Sequence, residues 1–345
     1  MGREKERIRT QILQELTKGE KSIYEILYIQ DASLPEIFEL IKEMEKEGSV
    51  NIKEGKLSLT RKGREEASKK RAHHLGEIRC KSCEETGYIV EGFFEEVLEE
   101  YREVCADRPE AVGEYDQGFI SEEGVIKRLE FIYERGDLAD TSIFVVGDDD
   151  LFSVSAALTG LPKRVVAIDI DERIIDFINK VAKEKNLRLE AFTYDVQKKL
   201  PEKFRRKFDV FVTDPVETLP GLKLFLSRGA SALNGKGCSA YFGITTLEAS
   251  REKWFEIEKM LIEMGFVITD IRRHFSIYPV NEKNFFRFQD RLPIVKKLEV
   301  PVDFNWYNSA FFRIEAVTGP KPLIEGEMVI DEKVYKDEES WATPI

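Results

Sequence analysis

Histidine and cysteine are scarce in this 345-residue chain, with three of the first and four of the second. Cys80, Cys83, Cys105 and Cys238 are too few for a disulfide-built scaffold, so the fold has to rest on an apolar core. No run of about 18 apolar residues occurs, so no membrane span is expected. The amino terminus, Met1-Gly2-Arg3-Glu4-Lys5-Glu6-Arg7, lacks the apolar centre of a secretion signal, and a cytoplasmic location is expected. Positive charge is also in deficit. The 53 Lys and Arg against 65 Asp and Glu leave a net charge of −12, the wrong sign for a chain that mainly binds nucleic acid. What is plentiful is charge of both signs, 34% of residues and rich in Lys and Glu, which fits a heat-adapted surface of ion pairs. The length suffices for two or three domains.

Residues 1–72 read as a small α+β module. Ile8, Ile12, Leu13 and Leu16 share one helical face, Ile23, Ile26 and Leu27 mark a second helix, and a third begins near Ser33 with Ile37, Leu40, Ile41 and Met44 inside. Two alternating segments, 49–53 and 56–59, follow around Glu54-Gly55. Three helices and a hairpin predict a winged helix-turn-helix. The third helix, however, displays Glu36, Glu39, Glu43, Glu45 and Glu47 against Lys42 and Lys46, a face that repels phosphate. Packing on another part of the protein, or on a twin subunit, is the expected role, and nucleic acid is not an expected partner.

Residues 73–136 form a linking segment. Its Cys80-Lys81-Ser82-Cys83 spacing suits a metal knuckle, a disulfide or two ordinary thiols. Helices are expected over 92–105 and 121–133. Between them, Asp116 and Gln117 sit on a loop leading to the next unit, as substrate contacts or as a solvated turn.

Residues 137–318 alternate strand and helix, which predicts an α/β fold: a doubly wound, mostly parallel, Rossmann-like sheet of the class I methyltransferase kind. Its first step is Ile143-Phe144-Val145-Val146-Gly147-Asp148-Asp149-Asp150, a strand running into a turn with three aspartates and then a helix from about Leu151. Ligands in such sheets sit at the carboxyl ends of strands, and the expected strand ends here carry Asp148 to Asp150, Asp169, Asp195 and Asp214. Asp169 lies 22 positions after Gly147, the place of an acid that binds ribose hydroxyls, with Ile170 and Asp171 beside it. Asp195 is placed to accept from an adenine amino group. The first turn lacks the spaced glycines of a dinucleotide site, which argues against a pyrophosphate ligand. Helix capping is the structural alternative for one or two of the three aspartates, and a strand end with a fixed turn is the alternative for Asp214-Pro215.

Crowded aspartates repel a carboxylate and attract a sulfonium and an amine. Those preferences describe decarboxylated S-adenosylmethionine as co-substrate, with no tightly bound cofactor. Gly147-Asp148-Asp149-Asp150, the Thr213-Asp214-Pro215-Val216-Glu217-Thr218 strand end and the winged-helix module in front resemble the archaeal and thermophilic-bacterial branched-chain polyamine synthases. The segment after Asp214 departs from a fuller D-P-P-E form at Val216, and it loosely resembles the D-P-P-[YF] motif of amino-group methyltransferases. The resemblance implies aminopropyl transfer to spermidine, giving N4-bis(aminopropyl)spermidine in two additions, a homodimer, and a central catalytic aspartate that falls on Asp149.

The chemistry follows from the residue types. A secondary amine with a pKa near that of lysine, about 10.4, arrives protonated and must lose that proton before it attacks the carbon beside sulfur. Asp149 is the candidate to orient the nitrogen and take the proton. Gly147, Asp148, Asp150, Asp214, Pro215, Glu217 and Thr218 are the candidate polyamine contacts, and Asp169, Ile170, Asp171 and Asp195 the nucleoside contacts. An S-adenosylmethionine-dependent amino-group methyltransferase is the competing reading. Aromatics over 274–309 suit either a wall for polyamine ammonium groups or ordinary core. Residues 319–345 read as a mobile acidic tail able to close over the polyamine.

Overall fold

The computed structural model describes residues 2–30, 32–76, 80, 82–83, 86–115, 117–281, 283–329 and 331–343. The amino-terminal module has the winged-helix order α1 (Arg3–Leu16), β1 (Lys21–Ser22), α2 (Ile23–Tyr28), α3 (Leu34–Lys46), β2 (Val50–Lys53) and β3 (Lys56–Leu59). Capping boxes at Ser22/Glu25 and Ser33/Glu36 fix where α2 and α3 begin. The strands form one antiparallel sheet in the order β1-β3-β2. A further helix, α4 (Arg61–Lys70), was not expected, because it buries only Gly63 and Ala67 and so has no apolar periodicity. It is held by the Thr60 cap and by Arg9 pairing with Glu66 at 2.6 Å.

This module docks on the rest of the chain through its apolar side. Tyr24 donates to the Val300 carbonyl at 2.8 Å and its ring lies 5.5 Å from Trp306. Tyr28 meets Phe304 edge-on, and Phe38 of α3 meets Trp341 edge-on at 5.5 Å. The helix that would enter a DNA groove therefore has one side covered by the carboxyl-terminal segment, in keeping with the expected packing role.

The linking segment carries α5 (Phe93–Ala106) and α6 (Glu122–Glu134), and after it come strand β4 (Ser142–Val146), helix α7 (Phe152–Leu158), β5 (Arg164–Asp169), α8 (Glu172–Glu184), β6 (Leu189–Thr193) and β7 (Val210–Thr213). Helix α9 (Leu219–Ala232), β8 (Ser239–Ile244), α10 (Arg251–Glu263), β9 (Phe266–Ile277), α11 (Pro293–Leu298), β10 (Asn308–Ala316) and α12 (Glu332–Tyr335) complete the order. The large sheet has seven strands in the order β6-β5-β4-β7-β8-β10-β9. All neighbours are parallel except that β10 runs antiparallel to both β8 and β9.

Strand β4 is apolar throughout because it is central: Ile143 and Val145 face one core, Phe144 and Val146 the other. Helices α5 to α8 cover the first face and α9 and α10 the second. The strand order reverses at β4, where β5 lies on one side and β7 on the other, so a crevice opens above the carboxyl ends of these three strands. The segment 319–345, expected as a mobile tail, starts at the opposite end of the sheet, where Lys321 N donates to the Met264 carbonyl, and its described residues from 331 to 343 are laid over this end. Thr218 donates to the Val334 carbonyl at 2.5 Å, Ser250 N donates to Glu339 at 2.7 Å, and Ile294 N donates to the Trp341 carbonyl at 3.1 Å.

Candidate active site

The crevice is a pocket lined by Gly147 and Asp149 from the first turn, Asp169 and Ile170 after β5, Tyr194 to Val196 after β6, and Asp214 to Glu217 after β7. Tyr115, Gln117, Glu248, Tyr278, Tyr307 and the tail residues Tyr335, Ser340, Ala342 and Thr343 close the other walls. Most of the expected contacts thus meet in one place. Asp116 lies outside the described residues.

The three aspartates of the first turn point in different directions. Gly147 has φ +73° and Leu151, just before α7, has φ +58°. The left-handed value at a buried leucine is a strained conformation that tightens the turn. Asp149 faces the pocket and accepts from Gly118 N at 2.9 Å. Arg108 donates to its backbone carbonyl. Asp148 and Asp150 instead turn inward. Asp148 accepts from Ser153 N at 3.1 Å in the first turn of α7, as a helix cap does. Asp150 accepts from Ile120 N at 2.7 Å and faces Arg128 at 3.5 Å. Neither carboxylate lines the pocket, so the expectation of three polyamine-facing aspartates reduces to one; a five-residue turn cannot aim three consecutive side chains the same way.

Burial is the first cause of the raised pKa values here. It pushes Asp148 up to about 8, against the pull of its bonds to Ser153. Burial, followed by the Asp169 and Asp214 charges, pushes Asp149 up to about 7. Asp150 is likewise held well above the usual carboxylate range by burial and by Asp214 and Asp149.

On the β5 side, Asp169 accepts from Asp148 N and Asp171 N, both at 2.8 Å, and so locks the first turn to the second. Carboxylate oxygens have lone pairs left for a ligand hydroxyl. Ile170 is 41% exposed although apolar, an open face beside that acid. Asp171 is not in the wall. It caps α8, pairs with Arg173 at 2.5 Å and accepts from Gln117 at 2.9 Å, thereby fixing the loop that carries Gln117. Asp195 accepts from Gln197 N at 2.9 Å.

On the β7 side, Arg128 from α6 forks onto Asp214 at 2.5 and 3.2 Å and stacks over Phe311 at 4.5 Å. Burial opposes its charge, yet the Asp214 and Asp150 carboxylates keep the guanidinium ionised. Gly243 in β8 makes room for this pair, since a Cβ there would run into Asp214 Oδ1. Glu217 accepts from Thr245 N at 2.8 Å through Oε1, while its other oxygen is buried with no hydrogen-bond partner among the described residues. Burial and the neighbouring Glu248 hold its pKa well up. Thr218 does not face the pocket; it caps α9.

The chain matches the family model described as the branched-chain polyamine synthase A C-terminal domain over residues 96–342. It is 39% identical over 328 residues to the N(4)-bis(aminopropyl)spermidine synthase of Thermococcus kodakarensis, covering 93% of this chain and 91% of that one. It is 38% identical over 268 residues to the synthase of that name from Thermus thermophilus, covering 75% and 76%. The crystal structure of the Thermus thermophilus branched-chain polyamine synthase, in complex with N4-aminopropylspermidine and 5′-methylthioadenosine, superposes with a TM-score of 0.84 at 31% identity, covering 97% of this chain and 92% of the other.

The chain belongs to the branched-chain polyamine synthase family.

Two groups of this synthase, Arg128 behind the pocket wall and Glu248 in it, have no signal in the sequence, whereas an aromatic wall is one of the two readings of residues 274–309. Arg128 sits inside an ordinary amphipathic helix, and only the fold brings it to Asp214. Glu248 lies in a short helical turn after β8, where it accepts from Tyr307 Oη at 2.9 Å and Ala342 N at 2.5 Å. Burial raises it to about 7. Tyr278 and Tyr307 meet edge-on at 5.2 Å and line the pocket, while Phe275, Phe286 and Trp306 of the same segment are core and Phe304 is exposed. Among the described residues no three His, Cys, Asp or Glu gather as a metal site, and Cys80 and Cys83 are free thiols without a third ligand. Among the described residues no helix is long and apolar enough to cross a membrane.

Proposed function

We propose that the chain transfers aminopropyl groups from decarboxylated S-adenosylmethionine to the secondary amine of spermidine, with adenosine at the Asp169–Asp195 end of the pocket and the polyamine at the Asp214–Glu248 end. One observation carries this reading. Six carboxylates line the pocket (Asp149, Asp169, Asp195, Asp214, Glu217 and Glu248), and no lysine or arginine is among the lining residues. Such a wall favours a sulfonium and several ammonium groups and disfavours a donor that carries its own carboxylate. Asp169 is placed to accept from ribose hydroxyls, and Ile170 to pack on the base.

Asp149 stands between the two ends. With a pKa near 7 it is poised to receive the proton that the acceptor nitrogen must give up. The freed lone pair then forms the N–C bond, the C–S bond breaks, and its electrons stay on sulfur, leaving neutral 5′-methylthioadenosine. Once Asp149 has passed the first proton to solvent, the tertiary ammonium loses its own proton to Asp149 before attacking a second donor molecule, which gives a quaternary nitrogen with no proton to release. Asp214, Glu217 and Glu248, with Tyr278 and Tyr307, hold the flanking ammonium groups and set the approach. Burial of Asp150 against Arg128 makes its part indirect: it keeps the Asp214 fork in place. A homodimer is the proposed assembly, in line with the resemblance to the family.

The test is to incubate the protein with spermidine and each adenosyl donor and weigh the products. Aminopropyl additions are expected from the decarboxylated donor alone; methyl transfer from S-adenosylmethionine would overturn the proposal.

A further inference from the structure

Arg228 of α9 is fully buried, yet it meets no carboxylate at hydrogen-bond distance among the described residues. Its guanidinium instead collects backbone carbonyls from two segments that no strand ladder fixes. Nε donates to Val196 at 2.8 Å and Nη2 to Gln197 at 3.4 Å, in the loop after β6. Nη1 donates to Ile324 and Nη2 to Gly326, both at 2.8 Å, in the carboxyl-terminal segment. The neighbouring Ser227 hydroxyl accepts from Leu323 N and Ile324 N at 3.1 and 3.2 Å, and Met328 N donates to the Gln197 carbonyl at 2.9 Å. Burying a cation this way is costly unless its donors are satisfied. The five-donor fork of arginine matches four carbonyls, where an ammonium could not. The held loop walls the pocket with Asp195 and Val196, at the end opposite Glu248.

We propose that Arg228 is a positioning residue for the donor nucleoside: by riveting the 194–197 loop to residues 324–326 it sets the Asp195–Val196 wall, and it leaves the polyamine end alone. The inference rests on the assignment of that wall to adenosine. Arg228→Lys keeps the charge but loses the fork. Ser227→Ala loosens the same terminal segment without touching the guanidinium or adding volume.

Affinity for 5′-methylthioadenosine, read by calorimetry, is expected to fall roughly tenfold in Arg228→Lys, the factor for one lost charge-assisted bond. It should fall less, in the same direction, in Ser227→Ala. The KM for the decarboxylated donor should rise in parallel, with kcat and the KM for spermidine within about twofold of wild type. If wild type binds methylthioadenosine and both variants bind it equally well, the Arg228 role is wrong while the function stands. Equal rises in both KM values would also overturn it. If wild type binds no methylthioadenosine, the functional assignment itself fails.

Discussion

At the scale of single residues, the first turn separates two aspartates that look alike in sequence. Asp149 faces the pocket with a pKa near 7, so below that pH it is protonated and cannot accept the amine's proton. kcat/KM for spermidine should therefore climb tenfold per pH unit below about 7 and level off above it. Asp149→Asn should lower turnover by about 10²–10⁴-fold and abolish that limb, with folding intact by circular dichroism. Asp148→Asn should leave turnover within about threefold, because its carboxylate caps α7 rather than facing the pocket. Equal losses from both would refute the division of labour. The sequence puts all three adjacent acids at the pocket, and the resemblance points to the central one as catalytic. It could not say that the outer two turn inward, since that depends on φ values at Gly147 and Leu151 and on partners from Ile120 and Ser153. Arg128 and Glu248 were invisible for the same reason: their partners are 86 and 59 positions away in the chain.

At the scale of elements, the carboxyl-terminal segment is a wall of the proposed polyamine end as well as a strap. Ala342 N donates to Glu248, and Lys253 is buried between the Glu248 carbonyl at 2.6 Å and Asp337 at 2.8 Å. Deleting residues 327–345 removes Tyr335, Ser340, Ala342 and Thr343 from the pocket and frees Glu248 to swing. The KM for spermidine should rise by about tenfold or more, with the affinity for methylthioadenosine reduced less, because the nucleoside loop loses only its Met328 bond while Ile324 and Gly326 keep theirs to Arg228. An unchanged KM for spermidine in steady-state assays would show that the segment is only a cover. Composition made this stretch read as mobile, being acidic, polar and proline-containing. What holds it is scattered, with its carbonyls on Arg228, Asp337 on Lys253, Ala342 N on Glu248 and Trp341 against Phe38, and such anchors have no periodicity to read. Strands β4, β5 and β7 were legible because each is an apolar run with an aspartate at or just after its end. The later elements were less so: β9 extends to Ile277 through Arg272, Arg273 and His274, and β10 inserts between β8 and β9, a pairing that no local pattern encodes.

At the scale of the molecule, the acidic pocket is a standing cost to the fold. Asp149 and Glu248 have pKa values near 7 and Asp148 near 8 in the folded protein, all above their unfolded values of about 4. The folded state therefore binds more protons than the unfolded state between about pH 4 and 8, and stability falls as pH rises through that window. The net charge of −12 adds self-repulsion in the same direction. The midpoint of denaturant unfolding should accordingly drop from pH 5 to pH 8 in the free protein. Spermidine, which binds only the folded form, should raise the midpoint far more at pH 8, where the carboxylates are ionised, than at pH 5. Glu248→Gln should flatten the pH slope, because the amide has no proton to lose, and should weaken the spermidine effect. A slope equal to wild type in that variant would mean that the surface charge, not the pocket, sets the pH dependence. The same acids that make the site unfavourable when empty make it selective: the ligand that relieves the repulsion has to bring several positive charges, spaced along one chain, into a pocket with no lysine or arginine among its lining residues.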